Sequence, residues 1–273
     1  MVIEKGLKYI KGLVRKIIDD DMLLRASCVS FYILLAFFPF VIILFLLASH
    51  ISTNISNGVL KALEFLPADI NGIIHQLITN LDTSSAVIAS MLGVSVWTLS
   101  GALVNVSKSL NVFYGVKIKR NFVVNRLMAI VWAAMMLLMI AAIMLLIVFG
   151  DIIRDFLYTK FSINPHSALR RIVWVATLVA AEIGILAMIY KSVIVVKVRF
   201  FSVMKGAAVS VILWLISSYA FGIYVSNFAR YHILYGSIAG IVILVTWIYI
   251  TSLVILLGGE INAMKYLKKQ PEQ

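Results

Sequence analysis

Charged residues are scarce in this sequence: Asp, Glu, Lys and Arg make up 13% of its 273 residues, and only 12 of them are acidic. So few carboxylates leave little material for a nuclease, which gathers several around magnesium in water. The one acidic cluster, Asp19, Asp20 and Asp21, is consecutive, and consecutive side chains on a helix point in different directions. Cysteine occurs once, as Cys28, so no intrachain disulfide can form. His50, His75, His166 and His232 are scattered, with no HExxH and no Cys/His pairing for zinc. No serine has a GxSxG setting, and Gly150-Asp151 lacks the other residues of an intramembrane aspartyl protease motif. With no reactive constellation, the expectation is a protein that is not an enzyme, without catalytic residues, metal or cofactor. Low-complexity tracts and long flexible linkers are also missing.

What the chain has instead is apolar residue, 62% of the total, with a mean hydropathy of +1.03. These residues gather in six stretches: Ala26 to Ser49, Ser85 to Ser107, Leu127 to Gly150, Ile172 to Tyr190, Gly206 to Asn227 and Ile233 to Gly258. About twenty helical residues cross a hydrocarbon core of roughly 30 Å, so each stretch qualifies as a span. The expected fold is all-α, a polytopic membrane helix bundle of six transmembrane helices. Its expected divisions are an interfacial helix over 1–25, a membrane domain over 26–264 that includes an outer helical loop over 51–84, and a basic tail over 265–273.

The formal net charge of +12 would suggest nucleic acid in a soluble protein. Here the basic residues fall into alternate connections instead. The N-terminal segment (Lys5, Lys8, Lys11, Arg15, Lys16, Arg25), the second connection (Lys108, Lys117, Lys119, Arg120, Arg126), the fourth (Lys191, Lys197, Arg199, Lys205) and the tail (Lys265, Lys268, Lys269) hold most of them. Lys and Arg near span ends stay on the cytoplasmic side, so both termini are expected there. Expected partners are therefore membrane lipids, including anionic headgroups at the inner leaflet, rather than nucleic acid.

Two segments outside the spans are amphipathic. Ile3, Leu7, Ile10, Val14 and Ile17 recur at helical spacing opposite Lys5, Lys8, Lys11 and Arg15, which predicts an N-terminal interfacial helix. It either recognises acidic headgroups or holds the topology. In the first outer connection Ile70, Ile73, Ile74, Leu77, Ile78 and Leu81 follow the same spacing, with Pro67 before them and Asp69 placed to cap. Outer-face amphipathic helices are expected there, either as a cover over an opening or as a plain cap on the bundle.

Polar residues inside the spans are the candidate functional positions. Glu182 sits at the middle of the fourth span, where a charged carboxylate costs about 2.5 to 3.5 kcal/mol. It is either a coupling or sensing site or a neutral acid bonded to a neighbouring span. Ser90, Ser95, Trp97, Thr98, Ser100, Gly101, Asn105 and Ser107 give the second span a polarity expected to face protein or water, and Asn105 has the greatest need of a partner. Ser30 and Tyr32 lie in the first span, where Pro39 removes a backbone donor and predicts a kink. Trp247 lies inside the sixth span, away from an interfacial belt. Gly236 with Gly240, and Ala176 with Ala180, have small-xxx-small spacing that permits close helix approach and a homo-oligomer. Arg25 and Glu260 share an expected depth at the inner edge, and an ion pair between them is expected.

The run Tyr235-Gly236-Ser237-Ile238-Ala239-Gly240, then Trp247-Ile248-Tyr249, then Leu257-Gly258-Gly259-Glu260-Ile261-Asn262, resembles the C-terminal signature of the YihY/BrkB family of bacterial membrane proteins. Ala26-Ser27, Ser30-Phe31-Tyr32 and Pro39 look like that family's opening motif, and Trp97, Ser100-Gly101, Leu110-Asn111 and Tyr114 like its second-span pattern. The resemblance implies a six-span protein of the bacterial plasma (inner) membrane. Members of the family have carried the label ribonuclease BN, now regarded as a misassignment, others are called serum-resistance or virulence-associated factors, and roles in moving envelope lipids have been suggested. It implies no catalytic residues.

The expected function is transport or flipping of lipids or other amphiphilic, anionic envelope molecules, along a route made by Glu182, Ser30, Tyr32, Trp97, Ser100, Asn105 and Trp247. The alternative is a membrane scaffold or envelope-assembly factor, which needs no polar route.

Overall fold

The structure is a computed structural model that describes residues 2–51, 72, 74, 76, 85–116, 121, 123–135, 168–227 and 237–269. Its helices are α1 (Val2–Asp19), α2 (Met22–Ile51), α3 (Ser85–Phe113), α4 (Val123–Met135), α5 (Ala168–Val193), α6 (Phe200–Asn227) and α7 (Ser237–Leu267). No strand occurs among the described residues. Helices α2, α3, α5, α6 and α7 are each long and apolar enough to cross a bilayer, and α4 is a shorter apolar helix at the start of the third expected span. The rest of that span, 136–150, lies outside the described residues. Five candidate spans are thus seen. Of the outer connection, Gly72, Ile74 and Gln76 are described; all three are helical, and Ile74 is buried. The other positions of that expected outer-face helix lie outside the described residues.

The chain breaks between α1 and α2 at Asp20 and Asp21. Asp21 has φ 49°, a left-handed conformation that Asp tolerates better than most residues. Its carbonyl then accepts from Arg25 N at 3.0 Å, already within the helical repeat of α2. The first long helix therefore starts at Met22, four residues before the expected span boundary, and Met22 is fully buried. The three aspartates separate: Asp19 pairs with Arg15 at 3.4 Å, Asp20 with Lys16 at 3.3 Å, and Asp21 makes the turn.

Periodicity sets the buried face of each helix. Met22, Ala26 and Val29 line up on α2, Leu99, Leu103, Val106, Leu110 and Phe113 on α3, Ala187, Tyr190 and Val193 on α5, Val203 and Ala207 on α6, and Leu256 and Ala263 on α7. These i, i+3, i+4 and i+7 stripes pack into one cluster, joined by Ala129, Trp132 and Ala133 of α4. The cluster lies at the end of the bundle where α1 packs: the starts of α2 and α6 and the ends of α3, α5 and α7. Helix α7 is central, packing on α6, α2, α3 and α1, while α5 rests mainly on α6.

Candidate functional site

Small residues allow the helices of this end to interlock. A Cβ on Gly258 would lie 2.5 Å from the Gly206 carbonyl oxygen and 2.8 Å from the Tyr190 hydroxyl, and would also overlap Ser210 Oγ. A Cβ on Gly206 would overlap the Gly258 carbonyl and lie 2.4 Å or slightly more from Asn262 side-chain atoms, so α6 and α7 meet backbone to backbone here. Gly259, the next residue, faces another helix and receives Leu110 of α3. Gly101 of α3 receives the Tyr32 ring of α2, whose Cδ1 would lie 2.5 Å from an added Cβ.

Polar side chains then bind exposed backbone. Asn111 Nδ2 donates to the Ser107 carbonyl at 2.7 Å and to the Val193 carbonyl at 3.0 Å, while its Oδ1 accepts from Val195 N at 2.8 Å. Ser107 Oγ donates to the same Val193 carbonyl at 2.9 Å. Asn262 Oδ1 accepts from Gly206 N, and its Nδ2 donates to the Val203 carbonyl, both at 2.9 Å. The Tyr190 hydroxyl donates to the Ile255 carbonyl, and Ser210 Oγ, 3.0 Å away, donates to the Val254 carbonyl at 2.9 Å. A helix that carries buried hydroxyls and amides in an apolar bundle needs such partners, and these cross between helices.

The expected ion pair between Arg25 and Glu260 is not formed. Arg25 Nε donates instead to the Asp20 carbonyl at 2.7 Å, closing the α1–α2 turn. Glu260 is 0% exposed, and neither carboxyl oxygen has a hydrogen-bond partner among the described residues. The charged groups that act on it are Asp20 and Lys16, from the end of α1. The turn at Asp20 and Asp21 takes the Arg25 side chain, and Lys16, the other cation nearby, pairs with Asp20 rather than with the carboxyl. Tyr114, whose ring lies 5.1 Å from that of Tyr266, completes this corner. Burial first, then Tyr266 and Glu260, hold the Tyr114 phenol well above the ordinary tyrosine range.

Several of the expected route residues bond to backbone within their own helices. Ser30 is buried and donates to the Ser27 carbonyl at 2.9 Å. Ser100 Oγ donates to the Trp97 carbonyl at 2.7 Å, and Thr98 to Val94 at 2.8 Å. Asn105 Nδ2, expected to seek a partner on another span, donates to the Gly101 carbonyl of its own helix at 2.9 Å. Such back-bonding satisfies hydroxyls and amides locally, so much of the polarity of α3 requires neither cavity nor neighbour. Trp247 is half-buried with its ring 6.2 Å from Trp214, whose Nε1 donates to Thr251 Oγ1 at 3.2 Å. Glu182 is half-buried on α5 and makes no hydrogen bond or ion pair among the described residues. Pro39 lies inside α2, which continues past it to Ile51. Gly240 is buried, whereas Ala176 and Ala180 are exposed. Tyr235 and Gly236 lie outside the described residues.

Sequence reasoning missed Arg126. Counted there among loop cations, it belongs to α4 and reaches the middle of α3: Nη2 donates to the Trp97 carbonyl at 2.8 Å and the guanidinium carbon lies 4.1 Å from the Trp97 ring centroid. Its position one residue before the expected span edge was the available signal. Tyr190, Ser210 and Gly206 were also missed, because nothing local marks which small or hydroxyl residues meet across helices. Among the described residues, no three of His, Cys, Asp and Glu come together as metal ligands would.

This arrangement defines a polytopic α-helical membrane protein whose motif residues tie one end of the bundle together. The chain belongs to the family described as Virulence factor BrkB, whose model matches residues 13–273. Similar proteins include the ribonuclease-like protein YfkH of Bacillus subtilis (strain 168), 30% identical over 277 residues that span 97% of this chain and 97% of the relative. Another is UPF0761 membrane protein VV0203 of Vibrio vulnificus (strain YJ016), 24% identical over 274 residues, 95% of this chain and 83% of that one. No solved structure matches.

Proposed function

We propose that this protein moves lipids or similar amphiphilic envelope molecules between leaflets of the bacterial plasma membrane, with both termini in the cytoplasm. The observation that carries the reading is Glu182. It lies within an apolar span, half-buried, on a helix whose span is mostly unburied within the protein, and it has no described partner to offset its burial. A carboxyl kept at that depth at a cost of about 2.5 to 3.5 kcal/mol is a functional group by default, suited to exchange a proton as a substrate passes. The excess of basic residues in alternate connections supports an inner surface that gathers anionic headgroups.

Purified protein in vesicles containing a fluorescent phosphatidylglycerol tests this. Addition of a membrane-impermeant quencher is expected to bleach label from both leaflets with wild type and from the outer leaflet alone with Glu182→Gln. Bleaching no different from protein-free vesicles sinks the proposal. The interlocked glycines and asparagines at the α1 end favour a second reading, a static scaffold, and that negative result would leave it standing.

A further inference from the structure

We infer that Arg126 and Trp97 form a site for the phosphate of an anionic lipid entering sideways from the bilayer; this deepens the lipid-moving reading and rests on it for its biological meaning. Arg126 is an expensive residue to place against an apolar span, and among the described residues no carboxylate lies within ion-pair distance of it. Of the five N–H donors on a guanidinium, one is used among the described residues, by the Trp97 carbonyl. Nε is buried without a partner.

Stacking on the indole at 4.1 Å fixes the plane of the group, and the Nη2 bond fixes its rotation. A fork held in this way loses little entropy when it takes two oxygens of a phosphate, for which its spacing is matched. The ligand then supplies the ion partner that the described residues do not.

The surroundings select a lipid. Trp97 is 57% exposed, and Val94, Val123, Leu127 and Val131 on the same two helices are exposed as well. A fixed cation set among exposed apolar side chains matches a headgroup joined to acyl chains. A soluble anion would gain the charge contact but not the apolar one.

The test is native mass spectrometry of the full chain in mild detergent, titrated with phosphatidylglycerol, phosphatidylcholine or glycerol phosphate. Wild type is expected to hold one phosphatidylglycerol in preference to phosphatidylcholine and not to release it to glycerol phosphate. Arg126→Ala is expected to weaken that binding by about tenfold or more, Arg126→Lys less, and Trp97→Ala more than Trp97→Phe. Lys108→Ala, which removes one of the many exposed cations of the basic connections, is expected to weaken binding far less than Arg126→Ala. Equal binding by Arg126→Lys, Arg126→Ala and wild type overturns the site. So does equal loss in Lys108→Ala, which marks general charge attraction, or equal competition by glycerol phosphate, which marks a soluble ligand. Loss of lipid in Arg126→Ala beside a wild type that moves no lipid keeps the site and removes the transport reading; unchanged binding beside active transport does the reverse.

Discussion

Asn111 and Asn262 grip opposite ends of one turn. Asn111, from α3, binds the Val193 carbonyl and Val195 N where α5 ends, and Asn262, from α7, binds the Val203 carbonyl and Gly206 N near the start of α6. The C-terminus of α5 leaves backbone groups without intrahelical partners, which Asn111 satisfies in an apolar setting, while Asn262 adds bonds to backbone groups within the first turns of α6. The α5–α6 connection is therefore held from both sides by helices distant in sequence.

Removing either amide should destabilise the bundle. Asn111→Ala and Asn262→Ala are each expected to cost about 1 to 3 kcal/mol, since each removes two buried hydrogen bonds to another segment. Because both act on one turn, the double variant should cost less than the sum. Thermal unfolding in detergent reads this, and single variants that melt with wild type would remove the clamp.

Glycine-to-alanine changes should sort by surroundings. Gly258→Ala meets backbone and should unfold or misassemble the protein, whereas Gly259→Ala meets the flexible end of Leu110 and should be milder. Nothing lies within 4 Å of a Cβ added at Gly93, Gly184 or Gly222, so alanine there should be neutral or stabilise by up to about 1 kcal/mol. The same melting series checks the order, which fails if Gly222→Ala is the worse change.

Glu260 is packed as a buried group without donors among the described residues, so Glu260→Gln should fold at least as stably as wild type. The exchange of Arg25→Glu with Glu260→Arg should not rescue the single reversals, because the two residues do not touch. Recovery of expression and melting temperature in the exchanged double variant would contradict this geometry.

Tyr114 gives a pH dependence of known sign. Its phenol is raised by burial, Tyr266 and Glu260, so above the ordinary tyrosine value of about 10 the unfolded chain releases a proton that the folded chain keeps. The unfolded state then binds fewer protons, and stability must fall as pH rises through that value. Tyr114→Phe should flatten the fall between about pH 9 and 11 in melting measurements. An unchanged slope would show that this phenol is not buried.

Much of this was legible beforehand. Apolar runs of span length have few alternatives to a helix in lipid, so hydropathy reads six spans, of which five are seen as long helices among the described residues. Motif residues could be picked out, but their work could not. That Gly101 receives Tyr32, or that Gly258 and Gly259 face different helices, depends on which helices are neighbours. That Asn105 and the α3 hydroxyls need partners is legible in the sequence, but not that their own helix supplies the carbonyl.

The chain alone determined that it lives in a bilayer, because the solvent requirement of each stretch is additive along the sequence and local in origin. Partnership was decided only by tertiary structure: Arg25 on the Asp20 carbonyl rather than on Glu260, Arg126 upon Trp97, two asparagines on one turn. Each depends on distances and rotamers set by packing rather than by position along the chain. A one-dimensional pattern places such side chains at the same level without saying which of them meet.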